Sequence, residues 1–331
     1  MRLVFCGTPQ FAVPAFKHLL AQKDFEIVAA ITQPDRARGR GQEVSFSPVK
    51  EAALAAGVPV HQPEKIRQPN TQELLQRTAP DAIVIIAYGQ IIPARLLPIP
   101  RLGWINLHAS LLPRYRGAAP INWAIVNGET KTGVTTMRID AGMDTGDMLL
   151  QREMEIGTTE TAPELAARMA ELGAPLMADT LRGLAAGTIT PQAQKHAEAS
   201  VAPMLKREFG LVDWSLTAHE IFNRIRGFAP WPGTYTHFRG QLCHIWGEPA
   251  ADGSHANASM SVSASAGPTT QSAESNAPGA LYSERDSLFV LCGGATRLRL
   301  TAVKLEGRKQ VSAAEFLRGA RLQPGERFGQ K

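Results

Sequence analysis

Asn106, His108 and Asp144 are the residues whose types and spacing suit a reaction at a carbonyl carbon. The first two close the apolar run Gly103-Trp104-Ile105, which reads as a short buried strand. Side chains two apart on a strand point the same way, so an amide donor and an imidazole share one edge. The following Ser110-Leu111-Leu112-Pro113 cannot continue a ladder past its proline. The pair therefore sits at the carboxyl end of the strand, where open α/β sheets keep their ligand crevices. There it can meet a carbonyl oxygen that turns negative under attack. Asp144 lies in a glycine-punctuated turn after the strand-like Gly133-Val134-Thr135-Thr136-Met137, and a carboxylate beside an imidazole can fix its orientation and tautomer. The residue types alone also fit blander roles, a turn cap for Asp144 and a satisfied structural group for His108.

The elements that must position these groups alternate. Leu3 to Cys6 reads as a strand, Phe11 to Ala21 as a helix, Phe25 to Ile31 as a strand, Ser47 to Ala56 as a helix, and Asp81 to Ala87 as a buried strand. Later strands are expected at Gly133 to Ile139 and Met148 to Met154, and a long helix at Thr161 to Ala186 with a break at Pro175. Alternation of this kind predicts an α/β fold, a mainly parallel sheet with helices on both faces. Gly7-Thr8-Pro9 follows the first strand but lacks the spacing of a dinucleotide fingerprint, which argues against a nicotinamide cofactor.

Composition narrows the class. With 331 residues and 44% hydrophobic content the chain can hold two domains, and its longest apolar runs are far below membrane-spanning length, so a cytoplasmic protein is expected. Cys6, Cys243 and Cys292 are widely spaced and odd in number, which suggests buried thiols and neither a disulfide framework nor a zinc site. Asp140, Asp144 and Asp147 lack the calcium-loop pattern, and no metal is expected. Of the net charge of +5, residues 190–331 carry +4, so the shorter part is the basic one and suits either a polyanionic partner or an ordinary solvated surface. Between Ile31 and Ser47, Arg36, Arg38 and Arg40 alternate with Ala37, Gly39 and Gly41; such a loop can follow phosphates or simply be solvated.

Domain boundaries follow from pattern changes. A catalytic domain is expected over 1–189, a linker over 190–208 holding Lys206 and Arg207, and a second domain over 209–331. A helix at Thr217 to Arg226 and short strands near Leu242 to Trp246, Ser287 to Leu291 and Arg297 to Val303 suggest a small OB-like barrel. Within it, 253–278 is rich in Ser, Ala, Thr and Asn and reads as a low-complexity insertion.

Taken together, several motifs are more specific than any one. Asn-x-His overlapping His-x-Ser-Leu-Leu-Pro, then Arg116-Gly117-Ala118-Ala119-Pro120 and Asp140-Ala141-Gly142-Met143-Asp144-Thr145-Gly146, resemble the folate-dependent formyltransferases. The resemblance extends from Phe5-Cys6-Gly7-Thr8-Pro9 through Thr32-Gln33-Pro34-Asp35-Arg36 to Trp231-Pro232-Gly233, most of the chain. It implies a Rossmann-like catalytic domain and an OB-like tRNA-binding domain. The formyl donor it implies is 10-formyltetrahydrofolate, and the acceptor is the α-amine of methionine on initiator methionyl-tRNA. It further implies Asn106, His108 and Asp144 as the catalytic set, and a folate pocket built from Tyr88, Gly89 and Gln90 together with Ser110, Leu111, Leu112 and Pro113. Arg36, Arg38, Arg40, Lys206 and Arg207 become tRNA contacts, with Arg40 matching an arginine that reads the weak first pair of the initiator acceptor stem. A monomer is expected. Two rival readings remain at this stage: another 10-formyltetrahydrofolate-dependent transferase or hydrolase, and a non-catalytic RNA-binding protein.

Overall fold

The computed structural model describes residues 1–38, 43–250, 277–323 and 325–329. Two compact units emerge, one formed by 1–123 and 130–204, the other by 124–129 and 205–331.

The first unit is built on a seven-stranded sheet. Its strands are β1 (Arg2–Gly7), β2 (Glu26–Ile31), β5 (Val60–His61), β6 (Ala82–Ile86), β7 (Trp104–His108), β9 (Lys131–Arg138) and β10 (Met148–Glu155), in the order β10-β9-β7-β6-β1-β2-β5. β1, β2, β5, β6 and β7 run parallel, while β9 is antiparallel to β7 and β10 to β9. β3 (Arg36–Arg38) and β4 (Glu43–Ser45) form a separate small hairpin. The chain leaves β1 toward β2 and β5, then returns on the other side of β1 as β6. That reversal opens a crevice beyond the carboxyl ends of the strands. β6 is buried along its whole length, which is why its sequence reads as a continuous apolar run.

Helices cover both faces. They include α1 (Val13–Leu20), α2 (Pro48–Ala55), α3 (Pro69–Thr78) and α5 (Ala162–Ala186), and α4 (Pro120–Val126) follows β8 (Arg116–Gly117). Val4, Cys6, Ile31, Ile83, Ile85 and Trp104 share one core with Leu74, Leu75 and Leu96. α5 begins with a capping box between Thr161 and Glu164 and ends at Gly187 in the left-handed conformation. The expected break at Pro175 does not occur. The helix runs through the proline because Leu165, Met169, Leu176, Met177 and Leu181 are buried along it, and their packing outweighs the lost backbone donor.

Most of 190–208 folds back onto this unit. Gln192 bridges Met148, and β11 (Val201–Ala202) pairs in parallel with β8.

Among its described residues the second unit has a sheet of six antiparallel strands: β12 (Tyr235–Phe238), β13 (Gln241–Pro249), β14 (Leu281–Glu284), β15 (Ser287–Leu291), β16 (Arg297–Leu305) and β17 (Val311–Ser312). Their order is β12-β13-β16-β15-β14, with β17 on β16. α6 (Ala218–Gly227) and α7 (Ala313–Ala320) complete the unit, whose core joins Trp214, Ile221, Phe238, Ile245, Leu298, Phe316 and Phe328. The expected insertion at 253–278 lies outside the described residues except for 277 and 278. All three cysteines are buried and free, and burial pushes the Cys243 and Cys292 thiols up to about 12. None of the described helices is long and apolar enough to cross a membrane.

Candidate active site

β7 ends at His108, one strand away from the β1–β6 reversal. In its ladder with β9, Asn106 lies opposite Met137 and His108 opposite Thr135, so the two side chains leave the same face. Both are buried, at 9% and 6% exposure. No hydrogen bond joins the Asn106 amide to a described protein group, although a buried amide ordinarily finds a partner. Among the described residues it and His108 Nδ1 are the side-chain polar groups of the strand end without a protein hydrogen bond.

The His108 ring is held differently. Its Nε2 lies 2.9 Å from the Tyr115 carbonyl oxygen, which can only accept, so Nε2 carries a hydrogen. Nδ1 faces Asp144 Oδ2 at 3.7 Å, within ion-pair range and beyond a hydrogen bond. The tautomer is therefore fixed by Tyr115 and not by Asp144, contrary to the expectation from sequence. A second proton, on Nδ1, would make the ring cationic beside the carboxylate.

Asp144 is placed by backbone strain and by two hydrogen bonds. Its φ of +52° is left-handed, uncommon outside glycine. Its Oδ2 accepts the Gly117 N–H at 2.8 Å, and its carbonyl accepts Gln194 Nε2 at 2.8 Å. Gly117 itself has a φ of +116°, and a Cβ there would stand 2.7 Å from the Ala202 carbonyl oxygen. Gly117→Ala is accordingly expected to cost about 1–3 kcal/mol of stability and, by displacing the backbone from Ala202, to weaken the N–H bond that residue 117 gives Asp144. Thermal unfolding and turnover of the same preparation check this, with both expected to fall.

The Ser110–Pro113 segment is equally fixed. Thr135 Oγ1 donates to the Ser110 carbonyl at 2.6 Å and accepts from the Leu112 N–H at 3.1 Å and Gln151 Nε2 at 2.9 Å. Gln151 Nε2 also donates to the Leu112 carbonyl at 2.9 Å. Ser110 Oγ donates to the Arg114 carbonyl at 2.6 Å, and the Leu112–Pro113 bond is cis. Leu112 is buried and Leu111 half-buried.

The 87–91 loop turns sharply, with Ala87 at φ +47° and Gly89 at +84°. Gln33 Nε2 donates to the Tyr88 carbonyl at 2.9 Å, and Gln90 Nε2 donates to Gln33 Oε1 at 3.2 Å. The Tyr88 ring is packed into the core at 2% exposure, so its side chain is not available to a ligand. Ile91 stands 85% exposed in the same loop. A hollow of about 600 Å³ lies at the amino ends of β1 and β2, lined by Arg2, Phe25 and Arg77, and contains none of these groups.

The basic residues are more scattered. Arg36 is exposed in β3 and Arg38 belongs to the same strand, while Arg40 lies outside the described residues. At the root of that hairpin, burial raises the Asp35 carboxyl, yet hydrogen bonds from Lys50 and Gln62 and the ammonium charge outweigh it and leave the pKa below its ordinary value. In the second unit Lys206 and Arg207 are exposed, and Lys206 lies 3.9 Å from Glu208. Burial lowers the His244 pKa, and the nearby charges of Lys304 and Arg207 lower it further. Among the described residues no cluster of His, Cys, Asp and Glu is arranged to hold a metal.

Sequence reading places Gly117 in the Arg116–Pro120 motif and Thr135 in a strand, with no role for either, and it does not single out Tyr115, Gln151 or Gln194. Their partners lie many residues away, and none carries a local motif of its own.

The formyl transferase family model matches residues 1–181, and the formyl transferase C-terminal domain model matches 204–321. The chain is 51% identical over 330 residues to a methionyl-tRNA formyltransferase of Solibacter usitatus, covering 100% of this chain and 99% of that protein. A methionyl-tRNA formyltransferase of Acidobacterium capsulatum is 50% identical, with 99% and 100% covered. Among solved structures, the sugar 3N-formyl transferase WlaRD, crystallised with dTDP and 5-N-formyl-THF, superposes with a TM-score of 0.64 at 16% identity, over 93% of this chain and 99% of that one. HypX from Aquifex aeolicus in complex with tetrahydrofolic acid gives 0.58 at 15% identity, over 96% of this chain and 47% of that one. At such identities the structural likeness concerns the fold.

Proposed function

Because the chain belongs to the formyl transferase family, we propose that it transfers the formyl group of 10-formyltetrahydrofolate to the α-amine of methionine on initiator methionyl-tRNA, for translation initiation. The single observation that carries the reading is the open Asn106 amide beside His108 and Asp144, in a chain half identical over its length to enzymes of that name.

Formyl transfer makes particular demands. The attacking α-amine has a reference pKa near ~7.7–8.0, so a useful share is already unprotonated at neutral pH and a strong base is not the main need. The difficulty lies in the oxyanion that forms on the formyl carbon and in the folate nitrogen, which leaves poorly unless protonated. Asn106 donates its amide N–H to that oxyanion. His108 acts through Nδ1, the nitrogen that Tyr115 does not engage: it takes the proton that the amine sheds as its bond to the formyl carbon forms, faces the oxyanion in that protonated form, and hands the proton to the folate nitrogen as the carbon–nitrogen bond to the donor breaks. Asp144 faces Nδ1 and orients the ring, and protons reach the site through water.

The donor's flat ring is assigned to the wall formed by Ser110, Leu111, Leu112 and Pro113 and by the Tyr88-Gly89-Gln90 loop, with exposed Ile91 as an apolar surface to cover. The sharp turn at Ala87 and Gly89 supports this, since it presents backbone groups toward a ligand edge. Arg36, Arg38 and Arg40 are assigned to the acceptor arm, and Lys206 and Arg207 to phosphates. We read the protein as a cytoplasmic monomer.

The test offers the enzyme labelled 10-formyltetrahydrofolate with charged initiator tRNA, a purine precursor or water alone. Label on the aminoacyl group supports the proposal; label only on a purine precursor or released to water favours another folate enzyme, and binding without transfer an RNA-binding protein. In the same assay, Arg40→Ala is expected to lose discrimination between acceptor stems with paired and unpaired ends. A uniform drop for both would make Arg40 a phosphate anchor.

A further inference from the structure

Gln194 lies in the polar segment after α5, 50 residues from Asp144 in sequence, yet it is 6% exposed and every hydrogen-bonding position of its amide is filled. Oε1 accepts from Arg116 Nε at 2.9 Å and Nη2 at 2.6 Å. Nε2 donates to the carbonyls of Asp144 at 2.8 Å and Gly146 at 2.7 Å. The orientation of the amide admits no choice. A guanidinium only donates and a carbonyl only accepts, so the flipped amide would set donor against donor and acceptor against acceptor.

Arg116 is a buried cation, 9% exposed, whose third contact is His196 Nδ1 at 3.2 Å. Its neighbours tie it to the chemistry on the other side. Tyr115, at φ +60°, gives its carbonyl to His108 Nε2, and Gly117 gives its N–H to Asp144. Ser200 fastens the same turn, its Oγ accepting the Tyr115 N–H at 2.9 Å and its carbonyl accepting the Arg116 N–H at 2.8 Å. Two turns with residues in the left-handed region, one on each side of the His108 ring, are thus joined twice, directly by the Gly117 N–H on the Asp144 carboxylate and from behind by the Gln194 amide. Strained conformations of this kind persist only where surrounding contacts over-determine them.

We propose that Gln194 is a positioning residue for formyl transfer: braced by Arg116, it holds the Asp144 turn in the conformation that aims the carboxylate at His108 Nδ1. This rests on the assignment of Asp144 and His108 to the reaction, and it adds that the segment after α5 completes the site. Gln194 touches neither substrate.

The test is a four-cornered kinetic comparison of the parent chain, Gln194→Glu, Asp144→Asn and the double variant. The carboxylate introduced by Gln194→Glu keeps an oxygen for Arg116, so the fold survives, but it turns the donor that holds two carbonyls into an acceptor. The expected result for Gln194→Glu is a kcat lower by about 10- to 100-fold with KM for both substrates within about twofold, the size of loss that follows a misplacement near 1 Å. In the Asp144→Asn background the same change should lower kcat by less than about threefold, because the group it positions is already gone. Equal losses in both backgrounds, an unchanged kcat in Gln194→Glu, or a change confined to KM overturns the positioning role alone. An unchanged kcat in Asp144→Asn overturns the site assignment and the positioning role with it. A readout that needs no turnover is the Nδ1 resonance of ¹⁵N-labelled His108: it should move in Gln194→Glu and Asp144→Asn alike, and a resonance left unmoved by Gln194→Glu contradicts the proposal.

Discussion

Asn106→Ala is expected to lower kcat for formyl transfer about 10²- to 10³-fold, the usual loss when one oxyanion donor is removed. The change should leave methionyl-tRNA affinity near its parent value, because a donor that acts only on developing charge contributes little to ground-state binding. Stability is a second discriminator. The amide bonds no described protein group, so its removal breaks no internal hydrogen bond and the thermal midpoint should hardly fall. A stabilising structural role would show the reverse pattern, an early melt with turnover retained by the folded fraction. Rapid-quench rates and tRNA binding on one preparation separate the two.

His108→Ala is the second large effect, with an expected loss of about 10²- to 10⁴-fold in kcat, the range for a positioned acid–base group. It should differ from Asn106→Ala in stability. The ring bonds the Tyr115 carbonyl at 2.9 Å, and deleting it removes that buried hydrogen bond. A cost of about 0.5–1.5 kcal/mol follows from the lost bond. His108→Gln tests the division of labour between the ring nitrogens. Its amide can supply a donor toward Tyr115 but cannot shuttle a proton, so stability should recover while turnover stays low. Recovery of both would mean that the ring serves packing alone.

How much of this was legible in the sequence depends on distance along the chain. The strand ending at His108, with its two-residue repeat and the proline just beyond, was readable because every cue lies within ten residues. The same holds for the buried run of β6, the start of α2 at Ser47 and the boundaries of α5. Tyr88 follows an apolar strand and reads as part of a ligand wall, but that its ring is packed into the core after a left-handed residue at Ala87 is something no local pattern announces. Pro175 was read by its propensity, which the burial of the surrounding helix face overrode. Least legible were the contacts that hold the site together. Arg116 and Gln194 are 78 residues apart, and β8 and β11 form a two-residue ladder too short to leave any periodicity. Polar residues in a segment with Pro191 and Pro203 look like a linker, and only the folded chain shows Gln194 buried beneath Asp144.

The most direct test of the account is a single-turnover experiment. Enzyme loaded with formyl-labelled 10-formyltetrahydrofolate is mixed with methionyl-tRNA, and the label on the aminoacyl group is followed in the parent chain and in Asn106→Ala. The account predicts transfer in the parent and a transfer step slowed at least about 10²-fold in the variant, with both substrates still bound. Transfer at the parent rate in Asn106→Ala would contradict it.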